Sequence, residues 1–320
     1  MKPKLYMSRR IPQIAIDNLR EVFQVKLNPF ERPATREELL QEVKDVDALV
    51  CQLVDNVDKE VIDAASNLKV ISSYSVGYNN IDVDYATSRG IAVCNTAGVL
   101  TESTADLTWA LIMATCRRIT ESEAYLRAGN FVAWEPLLML GMDVYNKTLG
   151  ILGMGRIGQA VAKRALGFGM KLIYHSRDIN PKDLPFAATQ VTLETLLRES
   201  DILTLHVPLT SQTRHLIGKD QLAMMKPTAV LINTARGAIV DEPQLIKALA
   251  EKRIFGAGFD VYEQEPFIPK ELLALNNVVL LPHIGSATIA TRTNMGIMAA
   301  QNAIAIISGL QPPSQINVLP

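Results

Sequence analysis

A glycine-rich hexapeptide, GMGRIG at residues 153–158, has the residue types and spacing of a loop that binds a dinucleotide. Its three glycines allow a tight turn and a close approach of backbone N–H groups to a pyrophosphate at the start of a helix. The preceding TLGIL is typical of a buried strand and residues 157–166 are typical of a helix, so the context favours this interpretation over a merely structural glycine turn. The expected pyrophosphate contacts are Gly153, Gly155, Arg156, Ile157 and Gly158.

The end of the next predicted strand indicates which dinucleotide is used. Folds that bind NAD usually place an acidic residue there, about 20 residues after the glycine loop, to hold the ribose 2′-hydroxyl. Ser176 stands in that place and Arg177 follows it. A hydroxyl and a guanidinium suit a 2′-phosphate, which a carboxylate would repel. We therefore expect a preference for NADP(H). In the alternative, which the neighbouring Asp178 favours, Arg177 is a solvent-facing surface residue and the cofactor is NAD(H).

Three ionisable side chains each follow a predicted strand further along the chain. Arg236 stands in INTARG, Glu265 in GAGFDVYEQEP and His283 in LPHIGSAT. The carboxyl ends of parallel strands meet at one edge of a sheet, where open α/β folds bind ligands. Taken alone, an arginine after a strand is more often a salt-bridge partner than a ligand-binding residue. A single glutamate before a proline is more often a loop residue, and a single histidine after a strand is more often structural. Their joint placement after strands predicts that they share a ligand site.

Short apolar runs alternate with helical patterns along most of the chain. This alternation predicts an α/β fold with parallel sheets and helices on both faces. Residues 35–38 form a capping-box start for a helix that runs to about Val43, and Asp241 can cap a helix with Pro243 in its first turn. The candidate strands lie at 4–8, 47–52, 69–75, 91–96, 148–154, 171–176, 202–207, 229–235, 256–261 and 277–282.

Two long apolar helices are predicted at residues 102–119 and 286–308, the second ending at Gly309. We interpret them as the two crossings between domains. The first domain would then comprise residues 1–98 and 288–320, and the second residues 99–287.

Composition narrows the functional classes. The chain has 320 residues, 32 Lys and Arg against 33 Asp and Glu, and a net charge of -1, so it lacks the basic excess of a nucleic-acid binder. Its 3 Cys form no CxxC pair, which argues against a disulfide framework and a structural metal site. No signal peptide is evident, and the apolar stretch near residues 107–116 is short of the ~20 residues a spanning helix needs. We expect a cytoplasmic protein without a membrane or nucleic-acid partner.

Over essentially its whole length the chain resembles the D-isomer-specific 2-hydroxyacid dehydrogenases. The resemblance includes SVGYNNID at 75–82 and NTAGVLTESTADL at 95–107, besides the segments above. Within the family, the HSR strand end and the LGMGRIGQAVAKRA loop are typical of glyoxylate/hydroxypyruvate reductases and 2-ketogluconate reductases. The resemblance implies two Rossmann-like or flavodoxin-like domains with a cleft between them. The first would be the substrate (catalytic) domain and the second the NAD(P)-binding Rossmann domain.

The resemblance implies NADPH-dependent reduction of glyoxylate, hydroxypyruvate or 2-ketogluconate to the D-2-hydroxy acid. Arg236 would grip the substrate carboxylate with its planar fork, and His283 would donate the proton as a general acid. Glu265 would pair with His283 and keep the imidazolium form available near neutral pH. The implied substrate contacts are Leu53, Val76, Gly77, Arg236 and His283. The further implied dinucleotide contacts are Thr104, Val207, Pro208, Thr213, Thr234, Ala235, Gly285 and Asp260, the last holding the nicotinamide carboxamide.

The chain departs from the family pattern at two places. Asn146 stands where relatives commonly have Gly, and Asn tolerates the left-handed turn expected there. Residues 134–139 (WEPLLM) carry aliphatic side chains where glyoxylate-reducing relatives often have another aromatic one. This departure is compatible with a keto acid larger than glyoxylate as the substrate. The family is commonly dimeric, and we expect a homodimer through the cofactor domain.

Two alternative functions remain at this point. Dinucleotide-sensing corepressors built on the same fold can retain the catalytic residues. D-3-phosphoglycerate dehydrogenase is a further alternative within the family, whereas formate dehydrogenase fits poorly because of Glu265. The sequence assigns no role to His175, His206 or His215, and places Trp109 in the core or at a dimer interface.

Overall fold

The computed structural model describes residues 1–177, Ile179 and residues 183–319. The chain divides into two compact units, Met1–Leu100 with Ser286–Pro320, and Thr101–Gly285. Each boundary lies two residues from the one expected from the sequence. None of the helices within the described residues is long and apolar enough to cross a membrane.

The first unit is built on a five-stranded sheet in the order β2-β1-β3-β4-β5, with every neighbouring pair parallel. Its strands are β1 (Lys4–Met7), β2 (Gln24–Leu27), β3 (Ala48–Cys51), β4 (Val70–Ser73) and β5 (Ala92–Cys94). The helices between them are α1 (Gln13–Val22), α2 (Arg36–Glu42), α3 (Lys59–Ala64) and α4 (Val83–Ser88). The predicted capping box at the start of α2 is present, because Thr35 and Glu38 each accept the other's backbone N–H.

The second unit contains a seven-stranded, wholly parallel sheet in the order β12-β11-β10-β9-β6-β7-β8. Its strands are β6 (Thr148–Leu152), β7 (Lys171–His175), β8 (Thr189–Gln190), β9 (Ile202–Leu205), β10 (Val230–Asn233), β11 (Gly256–Phe259) and β12 (Val278–Leu280). Its helices are α5 (Thr101–Cys116), α6 (Ile119–Arg127), α7 (Arg156–Ala165), α8 (Leu193–Glu199), α9 (Lys219–Met224), α10 (Glu242–Ala250) and α11 (Lys270–Leu273). The strand order reverses at β6, which is the place where doubly wound sheets bind ligands.

Two apolar clusters lie in this second unit, and its central strands are buried along their whole length. This explains their continuous apolar sequences. Trp109 belongs to the core: its ring stacks on Phe168 with centroids 4.6 Å apart, and its Nε1 donates to the Val161 carbonyl at 3.0 Å.

The prediction of one helix up to residue 119 is wrong, because α5 ends at Cys116. Arg118 adopts a left-handed conformation with φ 51°, and α6 starts at the next residue. The Cys116 carbonyl accepts from the N–H of Met142 at 2.8 Å, so a returning segment caps this helix end.

The last helix, α12 (Ile289–Ile307), belongs to the first unit and packs against α1 and β4. It begins three residues later than predicted because Thr288 is its N-cap and accepts from the N–H of Thr291 at 3.1 Å. It ends before Gly309, which has φ 69°. Together the two parallel sheets confirm the predicted α/β fold class.

Candidate active site

The glycine loop joins β6 to α7 at the strand-order reversal. Gly153 has φ 96°, a conformation that L side chains rarely adopt, and its N–H donates to the His175 carbonyl at 2.9 Å. A Cβ at Gly158 would lie under 3.0 Å from the Gly153 carbonyl oxygen, so this glycine allows helix and strand to pack closely. A Cβ at Gly155 would meet nothing within 4 Å, so the loop surface at Gly155 is open to an approaching group.

The start of α7 has the properties of an anion site. Its N-cap is Gly155, so no side chain caps the first turn, and that turn contains no acidic residue. The backbone N–H groups and the positive end of the helix dipole are therefore directed at whatever occupies the open surface. Arg156 is exposed beside it. These groups fit the pyrophosphate of a dinucleotide, as the sequence predicts.

The strand end that is expected to meet the 2′-substituent of the ribose lies one strand away from the glycine loop. Ser176 and Arg177 follow β7, and Arg177 Nη1 donates to Gln212 Oε1 at 2.8 Å. The carbonyl of Ser176 accepts from Gln190 Nε2 at 2.8 Å, which holds the strand end in place. Asp178 lies outside the described residues.

His283 and Glu265 lie in contact after β12 and β11. His283 Nδ1 is 2.7 Å from Glu265 Oε2, and Glu265 Oε1 accepts from the N–H of Tyr262 at 3.0 Å. Burial raises the pKa of Glu265, but the hydrogen bond and charge of His283, the Tyr262 N–H and the charge of Arg236 together lower the pKa below its ordinary value. The carboxylate is therefore ionised beside the imidazole. His283 adopts φ 55°, an uncommon conformation of the kind that clusters at functional sites.

Arg236 follows β10 and is the second charged neighbour of Glu265. Burial lowers the pKa of Arg236 and the charge of Glu265 opposes this, but a guanidinium stays protonated in either case. Arg236 Nη1 donates to the Ala235 carbonyl at 2.7 Å. Asn233 holds the turn, since its Nδ2 donates to the Arg236 carbonyl at 2.9 Å and its Oδ1 accepts from the Ala235 N–H at 3.0 Å. The second unit thus brings the three predicted catalytic side chains together.

Asp260, buried after β11, has its carboxylate bound to the segment that follows His283. Its Oδ1 and Oδ2 accept from the N–H groups of Ile284 and Gly285, each at 2.7 Å. Burial raises the pKa of Asp260, and these two N–H groups oppose the rise. Asp260 therefore holds the backbone after His283, and its contact to the nicotinamide carboxamide stays a prediction.

Hydroxyl groups surround the same segment. Thr104 Oγ1 donates to the Gly285 carbonyl at 3.3 Å, and the hydroxyls of Thr108 and Thr234 lie 2.9 Å apart. Thr104, Thr234, Asp260 and Gly285, all expected dinucleotide contacts, therefore lie near one another around α5 and β10. The sequence did not reveal Thr108, because a hydroxyl inside an apolar helix resembles any other core position.

The segment after β9 carries the remaining expected dinucleotide contacts. Thr213 Oγ1 donates to the Pro208 carbonyl at 2.6 Å, so residues 208–213 form a closed turn directly after Val207. His206 precedes it, and burial lowers the pKa of this histidine to about 3, so its ring is neutral. Its backbone lies against Gly153, where a Cβ would be under 3.0 Å from the His206 carbonyl. His206 thus supports the glycine loop.

The other two histidines without an assigned role have defined partners. His175 Nδ1 lies 2.9 Å from the Val191 carbonyl. His215 Nε2 lies 2.7 Å from Glu263 Oε1, a pairing that the sequence did not suggest.

In the first unit, the expected substrate contacts follow two neighbouring strands. Leu53 comes after β3, and Val76 and Gly77 come after β4, which pairs with β3 in parallel. Asn95 Nδ2 donates to the Val76 carbonyl at 2.8 Å and Ser75 Oγ to the Gly77 carbonyl at 2.6 Å. These bonds fix the orientation of the peptides in the SVGYNNID segment.

A buried carboxylate that the sequence did not reveal lies beneath that edge of the first unit. Asp55 accepts from Ser8 Oγ and from the N–H of Gln52, the latter at 2.6 Å, and burial raises the pKa of Asp55. Asn80 Nδ2 donates to the Gln52 and Asp55 carbonyls at 3.0 and 2.7 Å. In the described part of the chain, no three His, Cys, Asp or Glu side chains are grouped as a metal site would require.

Comparison with known proteins identifies the family. Residues 109–285 match the family profile described as the D-isomer specific 2-hydroxyacid dehydrogenase NAD binding domain. The glyoxylate reductases of Thermococcus gammatolerans and Korarchaeum cryptofilum are each 51% identical over 99% of this chain and 96% of their own length.

Solved structures agree with these sequences. The TT0316 protein from Thermus thermophilus is 45% identical, with a TM-score of 0.91 over 98% of this chain and 100% of its own. An NADPH-dependent glyoxylate/hydroxypyruvate reductase from Sinorhizobium meliloti, in complex with NADP and malonate, is 33% identical, with a TM-score of 0.87 over 99% of this chain and 97% of its own. The chain is therefore an NAD(P)-dependent member of the D-isomer-specific 2-hydroxyacid dehydrogenase family.

Proposed function

We propose that this protein reduces a small 2-keto acid to the corresponding D-2-hydroxy acid with NADPH. The observation that carries the proposal is the grouping of Arg236, Glu265 and His283 in the unit that also holds the glycine loop at its strand-order reversal. The relatives named glyoxylate reductase support it. The specific substrates we propose are glyoxylate, hydroxypyruvate and 2-ketogluconate.

In the proposed mechanism, Arg236 binds the substrate carboxylate with its planar guanidinium. The nicotinamide cofactor, when bound, supplies the hydride. His283 donates the proton to the carbonyl oxygen from Nε2, because its Nδ1 is directed at Glu265. The ionised Glu265 stabilises the imidazolium before this transfer and orients the ring. We propose further substrate contacts for Leu53, Val76 and Gly77 of the first unit.

The preference for NADP(H) rests on the strand end after β7. Ser176 and Arg177 offer a hydroxyl and a guanidinium there, and Arg177 is exposed. The relative from Sinorhizobium meliloti is described as NADPH-dependent. We expect kcat/KM to be higher with NADPH than with NADH. The Arg177→Ala variant should lower the ratio of kcat/KM for NADPH to kcat/KM for NADH. Equal or better use of NADH by the unaltered chain would refute the preference.

We also propose a homodimer through the cofactor domain. The described residues around α6 and the segment after it expose large apolar side chains, namely Ile119, Leu126, Phe131, Val132, Trp134, Leu137 and Leu140. Apolar side chains grouped in this way on a surface mark association sites. We expect light scattering to give twice the chain mass, and Val132→Asp combined with Leu137→Asp to give monomers. A monomeric unaltered chain would refute this.

The proposed location is the cytoplasm, since all 3 cysteines are free and buried.

One experiment tests the function. The chain is assayed with glyoxylate, hydroxypyruvate, 2-ketogluconate and phosphohydroxypyruvate, each with both cofactors. We expect NADPH-dependent turnover of at least one of the first three. Turnover of phosphohydroxypyruvate alone would favour a phosphoglycerate dehydrogenase, and binding of NADPH without any turnover would favour a dinucleotide-sensing protein.

A further inference from the structure

A histidine–carboxylate pair outside the proposed catalytic residues joins two segments of the second unit. His215 Nε2 lies 2.7 Å from Glu263 Oε1, and the Glu263 side chain is only 16% exposed against 40% for His215. His215 adopts φ 52°, an uncommon conformation outside glycine. An ordinary exposed surface pair contributes little to stability. This pair differs, because its carboxylate is largely buried and its histidine has an uncommon backbone conformation.

The Glu263 end of the pair lies at the base of the turn that carries Glu265. In this turn, residues 262–267, the N–H of Phe267 donates to the Gln264 carbonyl at 2.8 Å and the N–H of Tyr262 to Glu265 at 3.0 Å. The base of the turn also contacts the residue after Arg236. A Cβ on Gly237 would lie under 3.0 Å from the peptide between Tyr262 and Glu263, so these two backbones touch.

The His215 end belongs to the segment that carries the expected dinucleotide contacts. Thr213, one of them, lies two residues before His215. The N–H of His215 donates to the Ala238 carbonyl at 2.8 Å, and that of Ile217 to the Ile239 carbonyl at 3.1 Å. The segments that bear Thr213, Arg236 and Glu265 therefore meet around the His215–Glu263 pair.

We propose that His215 and Glu263 are positioning residues for the reaction. Their hydrogen bond holds the turn of residues 262–267 so that Glu265 meets His283, and it links this turn to the dinucleotide segment. The pair itself touches neither substrate nor cofactor in this account. The inference rests on the proposed function for its kinetic readouts, and on dinucleotide binding without turnover for the exchange experiment below.

The kinetic test compares His215→Ala and Glu263→Ala with Glu263→Gln, which keeps an acceptor oxygen. Because small misplacements of catalytic groups are costly, both alanine variants should lower kcat by roughly tenfold. The fall in kcat/KM with rising pH should also move to lower pH, while Glu263→Gln should retain most activity. Glu194→Ala, which breaks an exposed pair with Arg198 at 3.0 Å in the same unit, is the control and should change neither.

A second comparison separates positioning from a general loss of stability. If the pair acts through Glu265, His215→Ala should no longer move the pH profile when Glu265→Gln is already present. A His215→Ala or Glu263→Ala variant with a lower Tm but an unmoved pH profile and unchanged kcat would overturn the proposal. So would an equal additional shift in the Glu265→Gln background.

Hydrogen exchange tests the link without turnover. We expect NADPH to slow amide exchange in residues 262–267 of the unaltered chain. In the His215→Ala variant NADPH should still bind, as measured by fluorescence titration, but it should no longer slow exchange in these residues. Slowing of equal size in the variant, or no slowing in the unaltered chain, would overturn the proposed link. Absence of keto-acid turnover would refute the proposed function instead, and the exchange result would still decide this inference.

Discussion

His283 Nδ1 lies 2.7 Å from Glu265 Oε2, and the carboxylate of Glu265 is ionised beside it. This contact assigns the two ring nitrogens different tasks. Nδ1 is directed at the carboxylate, so Nε2 is the nitrogen that exchanges a proton with a substrate in the proposed reaction. The same contact predicts how activity and stability depend on pH.

Glu265→Gln should move the pH profile of keto-acid reduction. Reduction needs the imidazolium form of His283, which the carboxylate stabilises and a neutral amide does not. The fall in kcat/KM with rising pH should therefore begin at lower pH in the variant. A pH profile that stays in place would refute the functional pairing of the two residues.

The lowered pKa of Glu265 also predicts a pH-dependent contribution to stability. A carboxyl group whose pKa is lower in the folded chain stabilises the fold above its unfolded-state value of about 4.3, and this contribution is lost as the pH falls through the folded pKa. The difference in unfolding free energy between the unaltered chain and Glu265→Gln should shrink in that acid range. Denaturant titrations at neutral and acid pH measure it, and a difference that grew toward acid pH would contradict the assignment.

Arg236→Lys should remove two-point recognition of the substrate carboxylate while keeping the charge. A lysine ammonium cannot form the parallel pair of hydrogen bonds that a guanidinium forms. We expect kcat/KM for the keto acid to fall by about 100-fold, from the loss of one or two charge-assisted hydrogen bonds, while the Kd for NADPH changes little. Near-normal kcat/KM would remove Arg236 from the proposed site.

Asp260→Asn should disturb the segment after His283. The two carboxylate oxygens of Asp260 each accept a hydrogen bond from a backbone N–H, whereas an asparagine side chain has only one acceptor oxygen. One N–H group would face the amide NH₂, so Tm should fall and kcat should drop by roughly tenfold. Normal kcat with a lower Tm would restrict Asp260 to a structural role.

Three glycine substitutions separate packing from dinucleotide binding. Gly158→Ala should lower Tm and weaken NADPH binding, because its Cβ would crowd the Gly153 carbonyl. Gly155→Ala should lower the unfolding free energy by no more than about 1 kcal/mol, because nothing lies within 4 Å of the new Cβ and only the N-cap preference for glycine over alanine is lost. It should still weaken NADPH binding if the pyrophosphate lies there. Gly167→Ala, also unobstructed, is the control. Unchanged NADPH affinity in Gly155→Ala would contradict the loop assignment.

The sequence predicts the central architecture well where a local pattern carries the information. The buried strands, the Thr35–Glu38 capping box and the cap at Asp241, which accepts from the N–H of Gln244 at 3.2 Å, all depend on residues close in sequence. The left-handed turn expected at Asn146 is also present, with φ 59°.

Other features escape such patterns for identifiable reasons. Strand β2 (Gln24–Leu27) is short, lies at a sheet edge and buries none of its residues fully, so it lacks an apolar run. The His215–Glu263 pair joins residues 48 positions apart. Asp55 is buried through contacts with Ser8 and Gln52, and nothing in its neighbours in sequence indicates burial. These contacts depend on how the segments fold together.

The most direct measurement of the central claim is the oxidation of NADPH by the purified chain with hydroxypyruvate and glyoxylate, compared with His283→Gln. We expect turnover by the unaltered chain and a loss of at least 100-fold in kcat for the variant, since general acid catalysis contributes about 100-fold or more. NADPH should bind the variant with near-normal affinity. Equal turnover by the two chains, or none by the unaltered chain with any keto acid, would contradict the account.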